Sequence, residues 1–161
     1  MATIKFKGLE DYELQLSRLE KMTPEIAGRA IYQGAKIVAD EIRKEIEDLP
    51  IIQGYGTQAS PLPGGVTKAQ KEGLLDGLGI TPLGEKAGYY NVKIGFDGYN
   101  KTKTKKYPKG QPNQLVARGA ESGTSWKGKS PFVRPAVKIA KKPAEQAMAK
   151  ELEKEIQKIM K

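Results

Sequence analysis

Gly119 to Ala140 reads GAESGTSWKGKSPFVRPAVKIA, and two architectures compete for it. Its centre, GTSWKGKS from Gly123 to Ser130, satisfies the G-x-x-x-x-G-K-[ST] pattern of loops that cradle nucleotide phosphates. Such a loop leaves a buried strand and opens straight into a helix, so that backbone N–H groups and the helix dipole converge on the phosphates. The helix would have to begin near Lys129. Pro131 and Pro135 stand where its first turns should form, and the lost hydrogen bond and ring clash would cost about 3 kcal/mol. The preceding ARGAES is a poor buried strand, and IVAD at Ile37 to Asp40, an apolar run ending in Asp, belongs to a helical pattern. The match is therefore an accident of spacing. GLLDGLG at Gly73 to Gly79 imitates a glycine fingerprint in the same empty way, without the strand before it or the helix after it.

The same stretch makes sense as a strap entering a final helix. Pro135 suits a first helical turn, and Gly123 supplies a turn with positive φ. Phe132, between Pro131 and Pro135, can be anchored with little loss of backbone entropy, either docking the helix on the core or touching a partner. Glu121 is the sole acid between residues 98 and 142, and an ion pair with a nearby Lys or Arg suits it better than catalysis.

Downstream, Val137, Ala140, Ala144, Met148, Leu152, Ile156 and Ile159 step by three or four residues, which predicts one long helix. Pro143 breaks a hydrogen bond but not the register, so a kink is expected near it. Upstream, Tyr90, Val92, Ile94 and Phe96 alternate with polar or small residues, and Leu78 and Ile80 precede a GEKAG turn. This predicts an antiparallel pair with one buried face, and Gln114 to Arg118 reads as a third strand. Thr3 to Phe6 reads as an edge strand. Leu9, Tyr12, Leu16 and Leu19 predict a helix over Leu9 to Lys21, and Thr23-Pro24-Glu25 opens a second helix running to Pro50. The apolar face of that helix includes the small residues Ala30, Gly34 and Ala35, which admit a close neighbour. Glu41, Glu45, Glu47 and Asp48 lie off that face and read as a solvated acidic side. Residues 51–73 and 97–113 read as long loops, the second with five lysines and two tyrosines. The expectation is one α+β domain over 1–161. Two N-terminal helices and a long C-terminal helix pack on a small antiparallel sheet, with long projecting loops.

The chain has no histidine and no cysteine. This removes Ser-His-Asp and Cys-His catalysis, disulfides and cysteine zinc sites, and no catalytic, cofactor or metal site is expected. No run is apolar enough to span a membrane and the N-terminus lacks a signal-peptide core, so a cytosolic product is expected. Of the net charge of +9, residues 98–142 carry twelve Lys or Arg against one acid. The excess is local, which points to an anionic partner. Lys101, Lys103, Lys105, Lys106 and Lys109, with Lys127, Lys129 and Arg134, are the candidate contacts. Tyrosines among lysines suit either stacked bases or an ordinary solvated loop.

Glu121, Gly123, Thr124, Pro131, Phe132, Arg134, Pro135 and Ala136 together form an E-x-G-T, P-F-x-R-P-A pattern leading into the last helix. The pattern resembles the neck or tail-completion family of long-tailed bacteriophages, relatives of the lambda minor tail protein Z. K-G-L at Lys7 to Leu9, G-A-x-x-V-A-x-x-I at Gly34 to Ile42 and G-L-L-D-G-L at Gly73 to Leu78 follow the same order of elements. The long segments 51–73 and 97–113 depart from it. The resemblance implies a non-enzymatic virion subunit that joins head to tail, in an oligomeric ring around the DNA channel. Its implied partners are copies of itself and neighbouring neck, head-closure or tail-terminator proteins, with DNA in the channel as a further contact. No membrane and no small-molecule substrate is implied. Synthesis would occur in the bacterial host cytoplasm and residence in the virion. The alternative from the residues themselves is a free nucleic-acid-binding protein using region 98–142.

Overall fold

A computed structural model describes the backbone of residues 2–7, 11–16, 23–54 and 56–160, and the side chains of 23–54 and 56–158. In chain order the elements are β1 (Ala2–Lys7), β2 (Asp11–Leu16), α1 (Pro24–Glu47), α2 (Lys68–Gly77), β3 (Leu78–Ile80), β4 (Gly84–Lys86), β5 (Tyr89–Phe96), α3 (Asn113–Ser122) and α4 (Val133–Met160). The α+β class expected from the sequence is what the chain adopts.

β5 is the centre of an antiparallel sheet of order β1-β2-β5-β3, with β4 paired to β5 beside β3. Its alternation is used as the pattern implies, with Val92 and Ile94 buried and Tyr89 exposed. β4 and β5 meet at Ala87 (φ 52°) and Gly88 (φ 83°), two successive left-handed residues of the kind a two-residue hairpin demands.

The expected helix over Leu9–Lys21 is corrected where it can be seen: Asp11–Leu16 is strand β2, and the remainder of that span lies outside the described residues. Tyr12, Leu14 and Leu16 also recur at period two. In the sheet they stand opposite Ile94, Val92 and Tyr90, so the partner strand decides between two periods that so short a run satisfies equally.

α1 starts as its sequence dictates. Thr23 Oγ1 accepts from Ile26 N at 3.3 Å, Pro24 occupies the first turn, and Ala30, Ile31, Ala35, Val38, Ile42 and Ile46 are buried. α4 packs along α1, and the close approach is made at Gly34, where a Cβ would sit 2.6 Å from Met148 Cγ. Ala136, Ala140, Ala144 and Met148 carry the buried stripe of α4, which runs unbroken through Pro143. Farther along, Ile156 is exposed and Glu155 takes the inward position, paired with Arg29 at 2.9 Å and Lys158 at 3.3 Å.

Two further expectations change. The segment 51–73 has a core residue, Val66, and its end is helix α2, opened by a reciprocal cap: Gln70 N donates to Thr67 Oγ1 at 3.2 Å and Thr67 N to Gln70 Oε1 at 3.0 Å. Lys71 then ties α2 to the end of α1 by donating to the Leu49 carbonyl at 3.0 Å. Gln114–Arg118, expected as a strand, lies within helix α3, because Val116, Ala117, Ala120 and Glu121 face the core at helical spacing. One contiguous core joins α1, α3, α4 and β5 with Val66 and Leu74.

Candidate functional site

The segment between α3 and α4 closes on itself through one carboxylate. Glu121 is buried, and its side chain accepts three backbone N–H groups: Phe132 at 2.8 Å, Val133 at 2.9 Å and Arg134 at 3.0 Å. These are the first donors of α4, which otherwise have no intrahelical acceptor. The next residue, Pro135, has no N–H, and Ala136 N begins the helical ladder by donating to the Phe132 carbonyl at 3.3 Å. Every donor in the turn is thereby accounted for. The negative charge also sits at the positive end of the α4 dipole. The Arg134 guanidinium approaches the same carboxylate only to 3.9 Å, so the ion pair expected of Glu121 is secondary to its backbone bonds.

Phe132 follows from this geometry. Its ring is fully buried and meets Phe96, at the end of β5, edge to face with centroids 5.9 Å apart. Burial of such a ring contributes roughly 1.5–3 kcal/mol. Gly123 ends α3 with φ 78°, and Thr124 forms a tight turn with Lys127, Thr124 N donating to the Lys127 carbonyl at 2.9 Å.

GTSWKGKS has no free phosphate cradle. Gly128 N donates to the Leu62 carbonyl at 2.9 Å, Ser130 N to the Ala120 carbonyl at 2.7 Å, and Trp126 N to Thr124 Oγ1 at 3.2 Å. The Ser130 hydroxyl accepts from Gly65 N at 2.8 Å. The α4 N-terminus, where an anion would bind, already holds Glu121. Leu62 N donates to the Trp126 carbonyl at 2.8 Å, so residues 61–65 are laced to the strap over its length. Gly56 and Gly64 permit this approach, since a Cβ at either would fall within 2.1 Å of Trp126 O or Ser130 Oγ.

The lysine-rich loop is pinned at its base by amides. Asn100 N donates to the Gln111 carbonyl at 2.9 Å, and Asn100 Oδ1 accepts from Thr102 N at 2.8 Å. The Gln111 side chain accepts from Gln70 Nε2 at 2.9 Å, and Asn113 Nδ2 donates to the Asp97 carbonyl at 2.8 Å. Above this base Lys101, Lys103, Lys105, Lys106 and Lys109 are exposed, with the Lys106 ammonium 5.7 Å from the centre of the Tyr107 ring. Lys129 and Arg134 are exposed beside the strap, whereas Lys127 is half-buried.

Lys127 lies at a cleft of about 640 Å³ between α3, the strap and residues 52–67. Ile52, Leu62, Leu115 and Val116 wall it, and Trp126 stands on its rim, 54% exposed. Arg118 and Gln111 also reach it, so the cleft adjoins the base of the lysine loop. Burial holds the Lys127 ammonium below the usual lysine pKa. The cleft joins residues that no single motif holds, and Trp126, the chain's only tryptophan, was its one local sign.

Comparison with family models, curated proteins and solved structures finds no match to the chain.

Proposed function

We propose that this chain is a structural subunit of a long-tailed phage virion, a neck or tail-completion protein that joins the DNA-filled head to the tail as a ring of identical copies. The observation that carries the reading is the segment Glu121 to Ala136. The residues that resemble the family pattern are those that build the α3–α4 clasp: Glu121 bonds the helix start, Gly123 turns the chain, and Phe132 fills the core. A motif that serves this purpose is architectural, which fits a subunit whose work is assembly rather than chemistry. Identical subunits in a ring contact one another head to tail, and the exposed cations of residues 101–109 with Lys129 can face an acidic neighbour or passing DNA, with Arg134 adding positive charge beside them. Complementation tests the reading. Phage lacking this gene should yield separate heads and tails by electron microscopy, and purified protein should restore infectivity. Normal particles without the protein would remove the joining role.

The second reading, a free nucleic-acid-binding protein, draws on the same cations and on Tyr99, 67% exposed at the foot of the lysine loop. It requires tight DNA binding that falls steeply with salt. A gel shift over a salt series separates the two, since weak binding is common to any surface this basic.

A further inference from the structure

The cleft beside Lys127 combines features that the joining role does not use. Its hollow is aliphatic, from Ile52, Leu62, Leu115 and Val116, and its volume of about 640 Å³ falls in the range of small binding sites. Leu115 and Trp126, which line it, remain 45% and 54% exposed, although both are large apolar side chains. No acid lines it among the described residues. The Lys127 side chain has no hydrogen-bond or ion-pair partner among those residues, and its half-buried position deprives it of part of its water. A desolvated cation with no counter-charge is costly, and an incoming carboxylate would relieve that cost.

We propose that this cleft receives a short acidic peptide segment of a partner protein, with an apolar side chain in the hollow and a carboxylate on the Lys127 ammonium. The aliphatic walls favour a peptide over a nucleotide base. A base presents polar edges, and two amides lining the cleft are already engaged with each other, Gln70 with Gln111 at 2.9 Å. Arg118, which has a partner of its own, adds positive potential without being required as a ligand. The inference goes beyond the head-to-tail role and holds whether or not complementation succeeds.

The single tryptophan makes the test direct, because Trp126 on the rim reports occupancy by its emission. The probe is acetyl-Asp-Asp-Phe-Leu-Asp-Asp-amide, titrated against the full chain. The expected result is a saturable blue shift that weakens at least tenfold when the probe's acids are replaced by Asn, and at least tenfold in Lys127→Gln. Leu115→Glu, at an exposed position, should abolish it, while Lys101→Gln with Lys103→Gln should leave it unchanged. Thermal melting confirms that each variant is folded. The proposal is overturned by an absent shift, by equal binding of hexa-aspartate, by preference for oligothymidylate, or by a folded Lys127→Gln variant that binds as well as the parent chain.

Discussion

The Glu121 carboxylate and the backbone N–H of Phe132 lie 2.8 Å apart across eleven residues of chain, and the same oxygen also receives Val133 N at 2.9 Å. One side chain on α3 thus supplies the cap that α4 lacks in its own sequence. Removing it strands buried donors, each worth about 1–3 kcal/mol. Glu121→Ala should lose at least about 3 kcal/mol of unfolding free energy in urea titration, and Glu121→Gln, which sets an amide against those donors, about 1–3 kcal/mol. An unaltered midpoint for Glu121→Ala would refute the clasp.

Gly34 and Met148 mark a close approach of α1 to α4. A methyl at position 34 would gain up to about 1 kcal/mol of helix propensity but must displace a buried Met148 at a cost of about 1–3 kcal/mol. Gly34→Ala should therefore be destabilising. Combined with Met148→Ala it should cost less than the two single changes added together, by about 1 kcal/mol in a double-mutant cycle. Strict additivity would show that the two do not meet.

Ala87 holds φ 52° in the β4–β5 turn, a conformation that an L side chain adopts at a cost of about 1–2 kcal/mol. Ala87→Gly should raise stability by about 0.5–1 kcal/mol despite the greater freedom of the unfolded chain. A lower melting temperature for this variant would argue against the hairpin.

Glu155 governs an acid-sensitive contact between α1 and α4. Burial raises its pKa, but the hydrogen bond and charge of Lys158 and the charge and hydrogen bond of Arg29 outweigh that effect and leave it below the usual value. A depressed folded pKa means stabilisation that is present above the unfolded value and lost as pH falls through the folded one. The stability difference between the parent chain and Glu155→Gln should thus be largest near neutral pH and shrink between about pH 5 and pH 3. A constant difference over that range would exclude the linkage.

The loop cations give a prediction on assembly. Reversing Lys101, Lys103 and Lys105 to Glu alters exposed side chains and should change melting temperature little. Head-tail joining in the complementation assay should nevertheless fail or slow markedly. Unchanged joining would exclude the loop from the interface.

Much of the fold was legible in residues whose local signals agree. Thr23-Pro24 marks the start of α1, and its apolar face is buried as its spacing requires. Alternation at Tyr90 to Phe96 marks β5. The start of α2 was legible too, since Thr67 and Gln70 stand three apart as a capping box, but the surrounding glycines and prolines concealed it. Short runs such as Asp11–Leu16 and Gln114–Arg118 fit more than one period, and only their neighbours select a state.

The site divides in the same way. Sequence alone determined that GTSWKGKS could not open a phosphate-binding helix, because Pro131 and Pro135 forbid it, and that positive charge gathers between residues 98 and 142. It also marked Glu121 and Phe132 as unusual. Only the tertiary structure decided what they do, since the donors that Glu121 satisfies lie eleven to thirteen residues away. The cleft at Lys127 likewise needs walls from residues 52–62, from α3 and from the strap at once. Periodicity and caps are local and can be read along the chain, whereas a buried carboxylate's acceptors and a cavity's walls are set by packing.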